Sequence, residues 1–231
     1  MPTAVITGAN SGIGHALAKI LIKENYNLIA ADIHLDAPIQ SLTCEALHLD
    51  LASQASISSF AQKIGNQPID LLLNVAGVMV PHESDTLDTV DITKLQSTFA
   101  VNAFGPLLLT QALLPNVLKA QHPRIAVMSS RVGSMADNSS GGMYSYRASK
   151  AAVNALFKSL AVDLKEDKVP VLLLHPGIVK TNLDPRNKEG GGVPGAVEPE
   201  QAAAELWRVL MGKGLESTGR FFHRTGEELP W

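Results

Sequence analysis

The chain has 231 residues, 45% hydrophobic and 18% charged, enough for one α/β domain or two small ones and too apolar for wholesale disorder. Its formal net charge of −3 removes any global electrostatic case for nucleic acid or an anionic membrane as partner. The single cysteine, Cys44, allows no intrachain disulfide, which suits a reducing compartment. The opening MPTAVITGAN has no basic n-region and no long apolar run, so no signal peptide is expected. The apolar stretches read as strand-length and interrupted, so no membrane-crossing helix is expected and the expected setting is cytoplasmic. Seven histidines show neither HExxH nor paired Cys/His spacing, and no metal site is expected.

Ala4-Val5-Ile6-Thr7 is a short apolar run leading into a glycine-rich turn, and residues 13–24 carry helical periodicity. Leu28-Ile29-Ala30-Ala31 is a second apolar run, ending at Asp32. Ala46-Leu47-His48-Leu49 reads as a third strand, and 53–64 as a helix with Ser53 as its N-cap. Residues 69–75 suit a buried parallel strand that stops at Ala76-Gly77. The segment 91–120 is helical, with Pro106 and Pro115 as kink or boundary points. Then follow a strand over 125–128 ending in Ser129-Ser130, a long helix over 144–165, and a strand over 171–174 ending in Pro176-Gly177. A helix over 201–210 and an edge strand over 220–223 complete the chain. Regular strand–helix alternation means βαβ units, a parallel sheet and helices on both faces. With right-handed crossovers the simplest solution is one Rossmann-type, doubly wound domain over 1–231. The stretch 182–199, with Gly190-Gly191-Gly192, follows a strand C-terminus and reads as a substrate-covering flap, or as a plain solvated loop.

The first turn reads Thr7-Gly8-Ala9-Asn10-Ser11-Gly12-Ile13-Gly14. A diphosphate needs backbone N–H groups facing it with no side chains in the way, and a helix N-terminus adds a favourable dipole. Gly8 makes the turn, Gly12 admits the phosphate and Gly14 lets helix and strand pack closely. Asp32, with Ile33 beside it, lies 18 positions after Gly14, where an acidic residue accepts hydrogen bonds from the adenosine ribose. A carboxylate there repels a 2′-phosphate, and no Lys or Arg lies within 30–35 to compensate. NAD(H) is therefore expected as cofactor, with NADP(H) left open.

Tyr146 and Lys150 are four apart on a helix and share one face. An ammonium beside a phenol favours the phenolate and brings its proton into range for exchange with a carbonyl or alcohol oxygen. Alone, such a pair is common. Its company is not: Thr7-Gly8 with Gly12 and Gly14, Asn74-Val75-Ala76-Gly77, Asn102, Ser130, Tyr146 with Lys150, and Pro176-Gly177 follow in one order.

In this order the chain resembles the short-chain dehydrogenase/reductase family over nearly its whole length. The stretches Ser129-Ser130-Arg131-Val132-Gly133-Ser134 and Gly141-Gly142-Met143-Tyr144-Ser145-Tyr146 look like the small carbonyl-reductase branch related to sniffer and C-factor proteins. The resemblance implies an oxidoreductase moving a hydride between a nicotinamide cofactor and a small carbonyl or alcohol. It implies Tyr146 as general acid/base, Lys150 lowering its pKa and binding the nicotinamide ribose, and Ser130 holding the substrate oxygen. Asn102 would sit at a helix irregularity and position a water toward Lys150. Asn10, Ser11 and Ile13 would complete the glycine turn, Asn74, Ala76 and Gly77 would support the adenine-side wall, and Asp50 with Leu51 would meet the adenine edge. Pro176, Gly177, Val179 and Thr181 would frame the nicotinamide. A homodimer or homotetramer is implied as well.

Two departures bear on the site. Val75 stands where the family usually has a second asparagine, and Ser130 is 16 positions before Tyr146, longer than the usual spacing. Ser134, 12 before the tyrosine, competes with Ser130, which is preferred because it directly follows a strand. A cofactor-binding signalling protein that needs little turnover is the alternative reading, and the complete Asn102, Ser130, Tyr146 and Lys150 set favours the enzyme.

Overall fold

The computed structural model describes residues 1–184 and 193–231. Seven strands form one sheet: β1 (Thr3–Thr7), β2 (Asn27–Asp32), β3 (Glu45–His48), β4 (Leu71–Asn74), β5 (Arg124–Met128), β6 (Val171–His175) and β7 (Phe221–His223). Their order is β3-β2-β1-β4-β5-β6-β7, and every pair is parallel. Among the described residues seven α-helices join them: α1 (Gly12–Lys23), α2 (Ala37–Gln40), α3 (Gln54–Ile64), α4 (Ile92–Phe99), α5 (Gly105–Val117), α6 (Tyr144–Asp163) and α7 (Pro199–Gly212). The expected doubly wound α/β fold is the one observed.

The strands read as unbroken apolar runs because both faces of the sheet are covered. On one face Val5, Leu72, Val127 and Leu173 pack with Ile57 of α3, Leu109 of α5 and Phe157 of α6. On the other, Ile6, Leu73, Ala126 and Leu174 pack with Leu17 of α1 and Leu206 of α7. β1 pairs with both β2 and β4, so the chain winds outward from the centre in two directions. Connections diverge at that point and leave a crevice beyond the strand C-termini.

Ser53 caps α3 as expected, accepting from the Ser56 N–H at 3.2 Å. Other boundaries differ from the sequence expectation. β4 stops at Asn74 because the next two N–H groups, of Val75 and Ala76, donate to Thr7 Oγ1 at 3.0 and 3.1 Å. The short helix α2 was not anticipated; its Ile39 N–H donates to the Asn10 side chain, on the turn after β1, at 3.1 Å. Between α4 and α5 the chain makes a π-helical segment, Ala100–Phe104, without a break. Pro106 sits in the first turn of α5, where no N–H is needed, and Pro115 stays inside it. Consequently Ile92–Val117 is one run long and apolar enough, on length and composition, to cross a membrane, contrary to the expected interruption. Its Leu109, Leu113 and Val117 are buried in the core against the sheet.

Candidate active site

The crevice opens into a cleft of about 980 Å³ lined by the strand C-termini and the loops beyond them. One end is the glycine turn. Gly8 has φ +73, and a Cβ there would lie 2.9 Å from the Ala76 Cα, so only glycine lets the two strand ends approach. A Cβ on Gly14 would run into the Gly8 carbonyl. Ser11, the N-cap of α1, makes no side-chain cap, and the helix has no acidic residue in its first turn. Its first-turn N–H groups and positive dipole end thus lie at the cleft, which Ser11, Gly12, Ile13 and Gly14 line. Gly12 faces Thr181 across the cleft.

Asp32 follows on the same wall. Its Oδ2 accepts from the Asn10 N–H at 3.0 Å and its Oδ1 from the His34 N–H at 3.1 Å. Asn10 itself turns away from the cleft, donating to Asp36 Oδ2 at 3.2 Å. Ile33, Asp50 and Leu51 line the same end. Asp50 Oδ1 accepts from the Ala52 N–H at 2.9 Å. Ala76 and Gly77 reach the cleft, whereas Asn74 is buried behind it and donates to Thr110 Oγ1 at 3.2 Å.

At the far end Tyr146 and Lys150 both face the cleft from α6, with the Lys150 Nζ 5.7 Å from the centre of the tyrosine ring. Lys150 Nζ donates to the Met128 carbonyl at 2.9 Å. Tyr146 is 7% exposed and Lys150 3%, and burial penalises the charged form of each. The Tyr146 phenol is pushed up to about 12 by desolvation, with a hydrogen bond from Ser130 opposing and the Asp184 carboxylate adding. The Lys150 ammonium is pushed down to about 8. The tyrosine is thus shifted upward by desolvation, opposite to the lowering expected from the lysine.

The two candidate serines separate cleanly. Ser130 lines the cleft and bonds Tyr146. Ser134 is buried at 1% exposure, and its Oγ accepts from the Asp137 N–H at 3.2 Å. Asn102 does lie in a helix irregularity, the π-helical segment. Its side chain is committed to the Val78 N–H and carbonyl, both at 2.8 Å, and to Ser149 Oγ at 3.1 Å. A Cβ on Gly77 would sit 3.2 Å from Asn102 Oδ1 and 3.5 Å from Lys150 Nζ, so these two groups flank one bare Cα.

Pro176, Gly177, Val179 and Thr181 line the cleft after β6. What holds this loop was not visible in sequence spacing. Arg224, just past β7, donates from Nη1 to the Pro176 carbonyl at 2.7 Å and pairs through Nε with Glu205 of α7 at 2.6 Å. Sequence reading also missed Thr7 and His175 as cleft residues, although both flank its motifs. Of the expected substrate segment 182–199, residues 185–192 lie outside the described residues; Asn182, Leu183, Asp184 and Val193 line the cleft.

A parallel sheet with a glycine turn at its switch point and a Tyr–Lys pair beside it defines a dinucleotide-dependent oxidoreductase of Rossmann type. Comparison with known proteins goes further. The family model for short chain dehydrogenase matches residues 2–190, and the chain belongs to that family. It is 37% identical over 235 residues to 1-hydroxy-2-glutathionyl-2-methyl-3-butene dehydrogenase of Rhodococcus sp. (strain AD45), with both chains fully covered. It is 38% identical over 173 residues to C-signal of Myxococcus xanthus, covering 75% of this chain and 99% of that one. Carbonyl reductase Sniffer of D. melanogaster superposes with a TM-score of 0.88 at 27% identity, each chain fully covered. NADPH-bound carbonyl reductase from chicken fatty liver gives the same TM-score at 26% identity, covering 100% of this chain and 99% of that one. The sniffer and C-factor likeness read from the sequence is therefore the right branch, and the chain is a nicotinamide-dependent oxidoreductase.

Proposed function

We propose that the chain is a carbonyl reductase in which Tyr146 gives a proton to the substrate oxygen. The observation that carries this reading is a buried phenol, held protonated by desolvation, hydrogen-bonded by Ser130 and facing the cleft within reach of Lys150. When bound, the nicotinamide supplies the hydride. The chain's residues do the rest. Gly8, Ser11, Gly12, Ile13 and Gly14 hold the diphosphate at the open N-terminus of α1. Asp32 and Ile33 take the adenosine ribose, Asp50, Leu51 and Ala76 the adenine side, and Pro176, Gly177, Val179 and Thr181 the nicotinamide side. Ser130 orients the carbonyl oxygen, Tyr146 protonates it, and Lys150 stabilises the phenolate that results. Asn102 acts through Gly77 and Val78, which it fixes beside Lys150.

Tyr146→Phe is expected to lower carbonyl turnover roughly a hundred- to ten-thousand-fold while cofactor still binds. The measurement is loss of reduced cofactor with a panel of small aldehydes and ketones, beside a fluorescence titration of cofactor. Near-normal turnover in the variant would reject the assignment.

For the cofactor we propose NAD(H). The Asp32 carboxylate on the ribose wall and Asp36 close behind Asn10 are a poor place for a 2′-phosphate. Among the described residues the cationic cleft residues Arg131, Arg147 and Lys150 come from β5–α6 and from α6, beside the tyrosine. The chicken enzyme binds NADPH, so preference within this fold is a local matter of such residues. Asp32→Ala should improve NADPH affinity about tenfold, or about 1.4 kcal/mol, in a competitive titration against NADH. A wild-type protein that already prefers NADPH would overturn the argument.

A homodimer or homotetramer through α5 and α6 belongs to the same proposal, supported by exposed apolar Phe104, Leu118 and Val162 in and beside them.

A further inference from the structure

Asp85 is completely buried and takes no part in the site as assigned above. It follows the short 3₁₀ turn His82–Ser84 in the loop that continues from β4. What it meets is the start of α6. That helix has no cap of its own: Met143 at the N-cap has a left-handed backbone, φ 50 and ψ 47, and makes no side-chain cap hydrogen bond. Asp85 caps the helix from 60 residues away. Its Oδ1 accepts from the Ser145 N–H at 2.9 Å, and its Oδ2 accepts from the Ser145 hydroxyl at 2.8 Å and the Tyr146 N–H at 3.3 Å. Its main-chain carbonyl accepts from the Tyr144 N–H at 3.3 Å. A carboxylate is the group a helix N-terminus favours.

A local side-chain cap at 143 would need extended backbone there, which the left-handed Met143 does not have. A cap borrowed from the β4 loop does something else, because that loop also carries Met79 and His82 on the cleft wall. It ties the first turn of α6 to that wall. We propose that Asp85 is a positioning residue for the reaction, setting the height and rotation of the turn that carries Tyr146 so that the phenol stays in register with Ser130. The inference rests on the reading of Tyr146 as proton donor.

The test compares Asp85→Asn and Asp85→Ala, each alone and in a Tyr146→Phe background. The readouts are kcat, KM for one carbonyl substrate and cofactor Kd. An ångström of misplacement costs up to about a hundredfold in rate. The expected result is a kcat loss of roughly ten- to a hundredfold, smaller for Asn than for Ala, with KM and cofactor Kd unchanged. In the Tyr146→Phe background the residual rate should fall no further, since both changes remove the same contribution. Wild-type kcat in both Asp85 variants, the same fold loss without the phenol, or a parallel loss of cofactor binding each overturns the proposal. Should the Asp85 variants fail to fold, Ser145→Ala removes one of the Asp85 contacts, together with the 3.4 Å bond from Thr98. It should lower kcat severalfold with cofactor Kd unchanged, and wild-type kcat there overturns the proposal too. Active Tyr146→Phe would instead strike the tyrosine assignment itself, so the two failures are distinguishable.

Discussion

Lys150 is where folding and chemistry conflict most sharply. Its Nζ is buried and donates a hydrogen bond to the Met128 carbonyl. An ammonium held at about 8, against an ordinary 10.5, costs about 3 kcal/mol of stability. That cost is present in full below pH 8, where the folded and unfolded chains are both protonated. It is relieved as pH rises from 8 toward 10.5, because the folded lysine releases its proton first. Lys150→Met should therefore be more stable than wild type at pH 7 by up to about 3 kcal/mol, with the gain shrinking toward pH 10, and should be catalytically dead. Urea unfolding at the two pH values checks this. An unchanged midpoint at pH 7 would show that the Met128 carbonyl already offsets the burial. The spacing of Tyr146 and Lys150 revealed that they share a face. It carried no information on desolvation, because the dielectric around them is set by β5, the Ser130 loop and Gly77, which come from distant sequence.

At the scale of elements, the glycine turn is a fitted contact as well as a flexible one. Gly14→Ala drives a Cβ into the Gly8 carbonyl and must move α1 away from β1. An overpacking cost of about 1–3 kcal/mol is expected, together with weaker cofactor binding, read by thermal unfolding and titration. Unaltered affinity would mean that α1 does not hold the diphosphate. Elements with their own periodicity were legible in the sequence: α1, α3 and α6 lie close to the expected spans, as do β1, β2 and β6. Elements made by a distant partner were not. α2 depends on Asn10, the end of β4 on Thr7, and the cap of α6 on Asp85. The prolines divide: Pro106 marks a boundary as expected, in the first turn of α5 after the π-helical segment, whereas Pro115 lies inside the helix, and the helical run continues over Ile92–Val117.

At the scale of the whole molecule, His175 sets an acid limit. Its ring is half-buried at the end of β6, on the cleft wall, 5.4 Å from the ring of His223. Desolvation first, then His223, Arg131 and Arg224, push it down to about 3. The folded chain keeps this imidazole neutral while the unfolded chain protonates it near pH 6.5. Its contribution to stability is complete above that pH and is lost as pH falls toward 3, reaching about 3 kcal/mol by pH 4. His175→Asn should shift the acid-unfolding midpoint to lower pH, seen by circular dichroism; an unmoved midpoint would assign the acid limb to carboxylates. The doubly wound parallel sheet was readable from the strand–helix alternation, because crossovers obey one handedness, whereas its strand order was not read. The Arg224 clamp on Pro176 was not legible either, since nothing in a lone arginine announces its partner.

That clamp has a consequence for biosynthesis. A ribosome delivers the glycine turn first, Tyr146 and Lys150 later, and β7 with Arg224 later still. Parallel pairing across such separations is slow to form. Until residues 221–224 emerge, β6 is an open edge and the Pro176 carbonyl lacks its guanidinium. A nascent chain can thus contain Tyr146 and Lys150 and still lack the contact that holds the loop after β6, so the proposed nicotinamide wall is completed only once Arg224 has emerged.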